Sequence, residues 1–216
     1  MLSTTRLVAS FAVAALALGA ASSAAPAKGN PDTILDKLNS LDRYTSSEDD
    51  QGLDRFRWNQ RNWYDYDILT AAVVLDGSLV GAVTDASSEL TLFAPNDRAF
   101  QLLAYDLTGN WYYTEDKVLN AIVGAVQAGA VDLTNVLTYH VVAGKILKAD
   151  VPINTPVGTL NGDTIEFRSR FFGFFVELVD NVSTFRNPYL VRTDLDAGLS
   201  VIHSISRVLI PVNVGG

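Results

Sequence analysis

The segment from Leu90 to Phe100, LTLFAPNDRAF, constrains the fold more than any other stretch of this chain. Leu90, Leu92 and Phe93 form a short apolar run of the kind that makes a buried strand. Pro95 cannot donate to a β-ladder, so the strand stops there. Asn96 or Asp97 is placed to cap a following helix, whose Phe100 and Leu103 share an inward face. The segment predicts a strand, a turn and a helix in immediate succession.

The surrounding sequence extends this pattern in both directions. Asn30-Pro31-Asp32 predicts a helix start, followed by Ile34, Leu35, Leu38 and Leu41 at helical spacing. Ser46 to Asp54 is polar and acidic and predicts a loop, and Phe56 to Tyr66 is rich in aromatics. Asp67 to Leu75 predicts a second helix that Asp76-Gly77 breaks, with Ser78 capping a short third one. Thr114 is expected to cap a further helix with Glu115 and Asp116 in its first turn, an apolar stripe of Leu119, Ile122, Val123 and Val126, and an end at Gly129. A short helix from Leu133 to Leu137 is expected to run straight into a strand from Tyr139 to Val142. The second half predicts strands: a hairpin at Asn161-Gly162, one long β run from Phe171 to Val179, a strand at Leu190 to Arg192 and a last one from Val201 to Ile210. Helices come first and strands later, with no repeating βα unit, which argues an α+β fold in a single copy.

Residues 1–27 are expected to lie outside the fold as a secretory signal peptide. Arg6 is their only charge, Leu7 to Ala21 is apolar, and the small residues up to Ala27 suit a cut between Ala24 and Ala27. The apolar run of about 15 residues is shorter than the ~20 that a spanning helix needs, so no membrane span is expected in the mature chain. Residues 28–216 then form one domain. There is no cysteine, which excludes a disulfide frame and thiolate metal sites. The formal net charge of −8 becomes −9 without Arg6. Such a chain repels phosphate backbones, so nucleic acid is excluded as a partner and anionic lipid surfaces are disfavoured.

The residues that carry chemistry are sparse. Only two histidines occur, His140 and His203. No G-x-S-x-G elbow is present, and Ser204 beside His203 points to the opposite face of a regular strand. No H-x-x-x-H or H-x-H pair occurs, and Ser47 to Asp54 has acids without the spacing of a calcium loop. No G-x-G-x-x-G or phosphate loop occurs either. No catalytic residue, metal or cofactor is assigned, and a binding role is expected. Asn181-Val182-Ser183 is a glycosylation sequon whose use depends on the secretory route.

Two further segments are distinctive: VLTYHVVAGK, Val136 to Lys145, and SVIHSISRVLIP, Ser200 to Pro211. Together with LTLFAPNDRAF, in this order and spacing, they resemble the signature segments of a fasciclin domain. The usual family forms are close to TVFAPT-x-x-AF, L-x-YHVV-x-G and NG-V-I-H-V-I-D-x-V-L-x-P. The resemblance covers about residues 32–211. It implies a wedge of β-strands flanked by helices, and an extracellular adhesion or matrix module. It also implies two binding regions. One is Tyr139 and His140 between Leu137 and Val141-Val142; the other is Asp194 and Leu195, ahead of His203. Departures occur too. Leu199-Ser200 stands where the family has Asn-Gly, so Gly198 is expected to supply any positive φ, and Ser206 replaces the family's Asp.

Each candidate has a structural alternative. Tyr139 and His140 can close the core, with an imidazole nitrogen held by a backbone group. Asp194 can cap a turn. Trp58, Trp63, Tyr64 and Tyr66, with Trp111 to Tyr113, can form an exposed binding face or an auxiliary core. The resulting expectation is a secreted, non-enzymatic, monomeric module for cell adhesion or extracellular-matrix interaction, outside the cell or on its envelope. Its partner is an extracellular or cell-surface protein or glycan. The alternative is a secreted module that binds a glycan or small ligand through the aromatic insert 56–66, with Trp58 and Trp63 in contact.

Overall fold

The computed structural model describes residues 33–42, 63–180, 182 and 186–211. The leader, Trp58 and Asn181 lie outside the described residues. Helices α1 (Ile34–Asp42), α2 (Asp67–Asp76) and α3 (Val80–Thr84) precede strand β1 (Leu90–Pro95), and α4 (Asp97–Thr108), α5 (Glu115–Gln127) and α6 (Leu133–Tyr139) follow it. Strands β2 (Val141–Ala143), β3 (Pro156–Gly158), β4 (Thr164–Arg170), β5 (Phe175–Val179), β6 (Leu190–Ala197) and β7 (Ser200–Ile205) make up the rest. The expected α+β class is the observed one.

The strands form two sheets. One has the order β2-β1-β7-β6, with β1 and β7 parallel and the outer pairs antiparallel. The other is the antiparallel set β3-β4-β5. β1 and β7 lie in the middle of the first sheet, and every residue of both is buried. That explains why LTLFAP shows an apolar run rather than alternation: both faces of the strand are covered. Leu92, Ala94 and Ile202 face the helical side, with Ile68, Leu69, Phe100 and Val118. Phe93 and Ile205 face the second sheet, with Ile165, Phe167 and Leu178. Two apolar layers thus sandwich the first sheet, and burial of this kind stabilises by roughly 25 cal/mol per Å² of apolar surface.

The opening corner forms as its residues dictate. Asn96 is the N-cap of α4, and its side chain accepts the N–H of Ala99 at 3.0 Å. Phe100 and Leu103 are buried. The predicted hairpin at Asn161-Gly162 joins β3 to β4, with Gly162 at φ 95°. Gly198 takes φ 69° in the turn between β6 and β7, as its position required.

Several local expectations change. Thr33 caps α1, accepting the Asp36 N–H at 3.0 Å, so the helix starts at Ile34. Ser78 does not cap α3; its N–H and hydroxyl both turn back to Asp76. Thr114 holds the N-cap position of α5 without a side-chain cap bond. The buried line of α5 runs through Val118 and Ile122. Tyr139 ends α6 instead of opening a strand. The long run from Phe171 to Val179 is broken: Phe171–Gly173 is a short 3-10 turn and β5 begins at Phe175. Finally, β6 runs on to Ala197, and β7 stops at Ile205 rather than Ile210.

Candidate functional site

The two histidines organise the region where the signature segments meet, and they do so with opposite tautomers. His140 follows α6 and is fully buried. Its Nδ1 lies 2.7 Å from the Val136 carbonyl, to which only an N–H can bond usefully. Its Nε2 accepts the Leu209 N–H at 2.9 Å. His140 therefore carries its proton on Nδ1 and pins the chain after β7 to α6. Burial is the main cause that lowers its pKa to about 4, against a smaller opposing pull from the Val136 carbonyl. Tyr139, also buried, sends its hydroxyl to the Thr164 carbonyl at 3.0 Å and so ties α6 to the second sheet. The pair closes the core between the layers, and neither side chain reaches the surface.

His203 sits in β7 with its ring stacked on Phe93, centroids 5.8 Å apart. Its Nε2 meets the Ile146 carbonyl at 2.8 Å and its Nδ1 accepts the Asp194 N–H at 3.2 Å. The proton thus sits on Nε2. Burial also depresses this pKa; the Ile146 carbonyl and the Asp194 charge oppose it, and Lys148 adds to it. Neither imidazole has a serine partner in hydrogen-bond reach, since both nitrogens of each ring are engaged with backbone groups.

Asp194 is the exposed member of this arrangement. The β6–β7 register slips between Arg192 and Leu195, and Asp194 lies in that bulge at φ 57°. A left-handed non-glycine residue costs of order 1 kcal/mol, least for Asp and Asn. Its amide is held from behind by His203, and its Oδ1 accepts the Lys148 N–H at 2.8 Å. The carboxylate is thereby fixed and displayed to solvent. Leu195 turns the other way, half-buried against the helical core. The apolar group displayed near Asp194 is Leu147, exposed and adjacent to Lys148. Lys145 completes the edge, bonding Asp196 at 2.9 Å and the Gly198 carbonyl at 2.8 Å. Sequence reasoning did not find Leu147 and Lys148, because Lys148 reaches Asp194 across 46 residues, Leu147 comes with it as its chain neighbour, and neither carries a motif of its own.

The aromatic insert is described only in part. The Trp63 carbonyl accepts the Arg98 N–H at 2.9 Å and its ring packs against the helical core, while Tyr64 is exposed and Tyr66 buried. Trp111 meets Tyr105 edge-on at 5.5 Å and lies under the Arg98 guanidinium. Next to this region, Asp65, Asp97 and Glu115 each bring a carboxylate oxygen within 4.8 Å of the others. Burial, together with hydrogen bonding to Asp65 and the charges of Asp65 and Glu115, pushes Asp97 well above the usual carboxylate range. A proton held between Asp65 and Asp97 is the simplest way to relieve that crowding.

Among the described residues no helix is long and apolar enough to cross a membrane. The chain is 29% identical to Protein sll1483 of Synechocystis over 140 residues, covering 65% of this chain and 64% of that protein. The chain therefore matches somewhat under two thirds of that relative's length. A solved FAS1 domain pair from the insect cell adhesion molecule fasciclin I shares its fold, with a TM-score of 0.51 and 12% identity, over 70% of this chain and 49% of that one. The family model for the fasciclin domain matches residues 67–211, from α2 through the end of the last signature segment. With its corner at β1, its His140 core staple and its His203 strand, the chain belongs to the fasciclin domain family.

Proposed function

We propose that this chain is a secreted, non-enzymatic module for cell adhesion or extracellular-matrix contact, and that its contact edge is Asp194 with Leu147 and Lys148. Residues 1–27 act as a cleaved leader, and residues 28–216 act as one monomeric domain. Fasciclin domains occur in extracellular and cell-surface proteins, and the family is typically non-catalytic. The observation that carries the reading is the exposed Asp194 carboxylate, held in a left-handed bulge by His203 and the Lys148 amide. A carboxylate fixed beside an exposed leucine suits an extracellular or cell-surface protein that offers a cation and an apolar contact.

The test uses Asp194→Asn. Asparagine tolerates the same φ and keeps the bond from Lys148, so only the charge is removed. Attachment of cells to a surface coated with the variant is expected to fall by about tenfold, the equivalent of ~1.4 kcal/mol for one charge-assisted contact. Leu147→Ser is expected to weaken attachment too. Equal attachment by both folded variants overturns the assignment.

A further inference from the structure

The turn between β4 and β5 is built at odds with folding alone. Phe171, Phe172 and Gly173 are consecutive left-handed residues, with φ of 50°, 58° and 92°. Two bulky residues in that region are strained, where asparagine or glycine would be at ease. The result is a tip that presents Phe171, Phe172, Phe174 and Phe175 to solvent, with Phe172 completely exposed. Phe171 and Phe175 meet edge-on at 5.8 Å, and Phe175 meets Tyr189 at 6.3 Å, so the rings brace one another at the base. Exposed aromatic surface is unfavourable in water and is removed if the tip enters an apolar phase, whereas the strain is the conformational cost of holding the rings outward.

The shape and charge of the tip select the partner. Phe172 is completely exposed at its apex, so the rings project outward. A partner must let the rings in. Directly behind the rings, Arg168 and Arg170 lie on the outward face of β4. Arg170 pairs with Glu177 at 2.6 Å and Arg168 with Glu166 at 2.8 Å. In both pairs the arginine is the more exposed member, 43% against 30% for Arg168–Glu166 and 46% against 9% for Arg170–Glu177, so a guanidinium is the outer group of each pair. Aromatic rings at the tip and arginines one step behind match the order of acyl chains and phosphates at a bilayer surface. The net charge of −8 repels anionic membranes as a whole. We infer that the Phe171–Phe175 tip inserts into the interface of a zwitterionic phospholipid bilayer, with Arg168 and Arg170 at the phosphate level. This surface is separate from the Asp194 edge.

The experiment is co-sedimentation with phosphatidylcholine vesicles, using residues 28–216 beside the full chain, because an uncleaved apolar leader binds lipid by itself. Phe172→Asn relieves the left-handed strain and is expected to fold at least as well as the wild type. Its vesicle partitioning is expected to fall by at least about tenfold, the order for withdrawing one phenylalanine from an apolar phase. High salt is expected to leave wild-type partitioning largely unchanged. The inference is overturned if residues 28–216 do not sediment with the vesicles, or if Phe172→Asn sediments equally well. It is also overturned if binding is confined to phosphatidylglycerol vesicles and vanishes in high salt. A concentration-dependent dimer that Phe172→Asn abolishes, without vesicle binding, overturns it in favour of a second copy of the chain.

Discussion

The His203 imidazole accepts the backbone N–H of Asp194 at 3.2 Å, across the strand pair at the point where β6 bulges. A buried ring therefore sets the conformation of an exposed carboxylate. The core position and the surface position act as one unit, although nine residues separate them in sequence.

His203→Ala is expected to leave the Asp194 N–H and the Ile146 carbonyl without their partner, and to open a cavity beside Phe93. The expected loss is about 2–4 kcal/mol by chemical denaturation. The bulge should relax with it, so surface attachment should fall even where the variant is still folded. A loss below about 0.5 kcal/mol would mean that the ring is not the support described.

The two histidines should show opposite tautomers in long-range proton–nitrogen NMR spectra, Nδ1–H for His140 and Nε2–H for His203. Their pH dependence has one sign. The unfolded chain binds a proton at His140 near pH 6.5, whereas the folded chain resists it down to about 4. Between these values the unfolded state holds more protons, so this contribution to stability is complete above about pH 6.5 and is lost as pH falls toward 4, by roughly 3 kcal/mol in total. Two rings with the same tautomer would contradict the hydrogen-bond assignment.

Asp97 works in the opposite direction. Its folded pKa is raised, so the folded state holds more protons and stability drains as pH rises above 3.8 toward the folded value. Asp97→Asn keeps the bond from the Ile68 N–H and supplies a donor toward Asp65. The variant should gain more stability over wild type at about pH 8 than at about pH 4. Parallel pH curves for the two proteins would show that the carboxyl pair does not share a proton.

Asn96→Ala should cost about 1–2 kcal/mol through loss of the α4 cap. Asn96→Asp is usually neutral at such a position. Here Asn96 is buried and sequence-adjacent to Asp97, so a second carboxylate should destabilise the corner near neutral pH and recover as the solution is acidified. Thermal denaturation of both variants across pH separates capping from charge; an indifferent Asn96→Asp contradicts the crowding argument.

The parts of the fold that were legible in the sequence are those set by local chemistry. Pro95 and Asn96 fix the strand-to-helix corner, Gly162 and Gly198 fix turns that need positive φ, and α2 follows its apolar spacing. What the sequence hid depends on distant partners. Leu147 and Lys148 join Asp194 only because the loop after β2 folds over the bulge. The Phe171 to Val179 run looked like one strand because phenylalanine favours strands, and the two left-handed phenylalanines that break it carry no signal in composition. Leu195 was singled out with Asp194, yet the bulge sends these neighbours in different directions.

The parallel pairing of β1 with β7 places a demand on the order of events in folding. Leu90 finds the Ser200 hydroxyl 110 residues further along the chain, and the last strand fills the slot beside the first. Until Ile205 has emerged, β1 has only the short β2 at its side and one open edge. Contacts this distant in sequence carry a large loop-closure cost and form late. A nascent chain is thus left without a complete central sheet until β7 is available, and the two apolar layers can close over that sheet only once β7 takes its place beside β1.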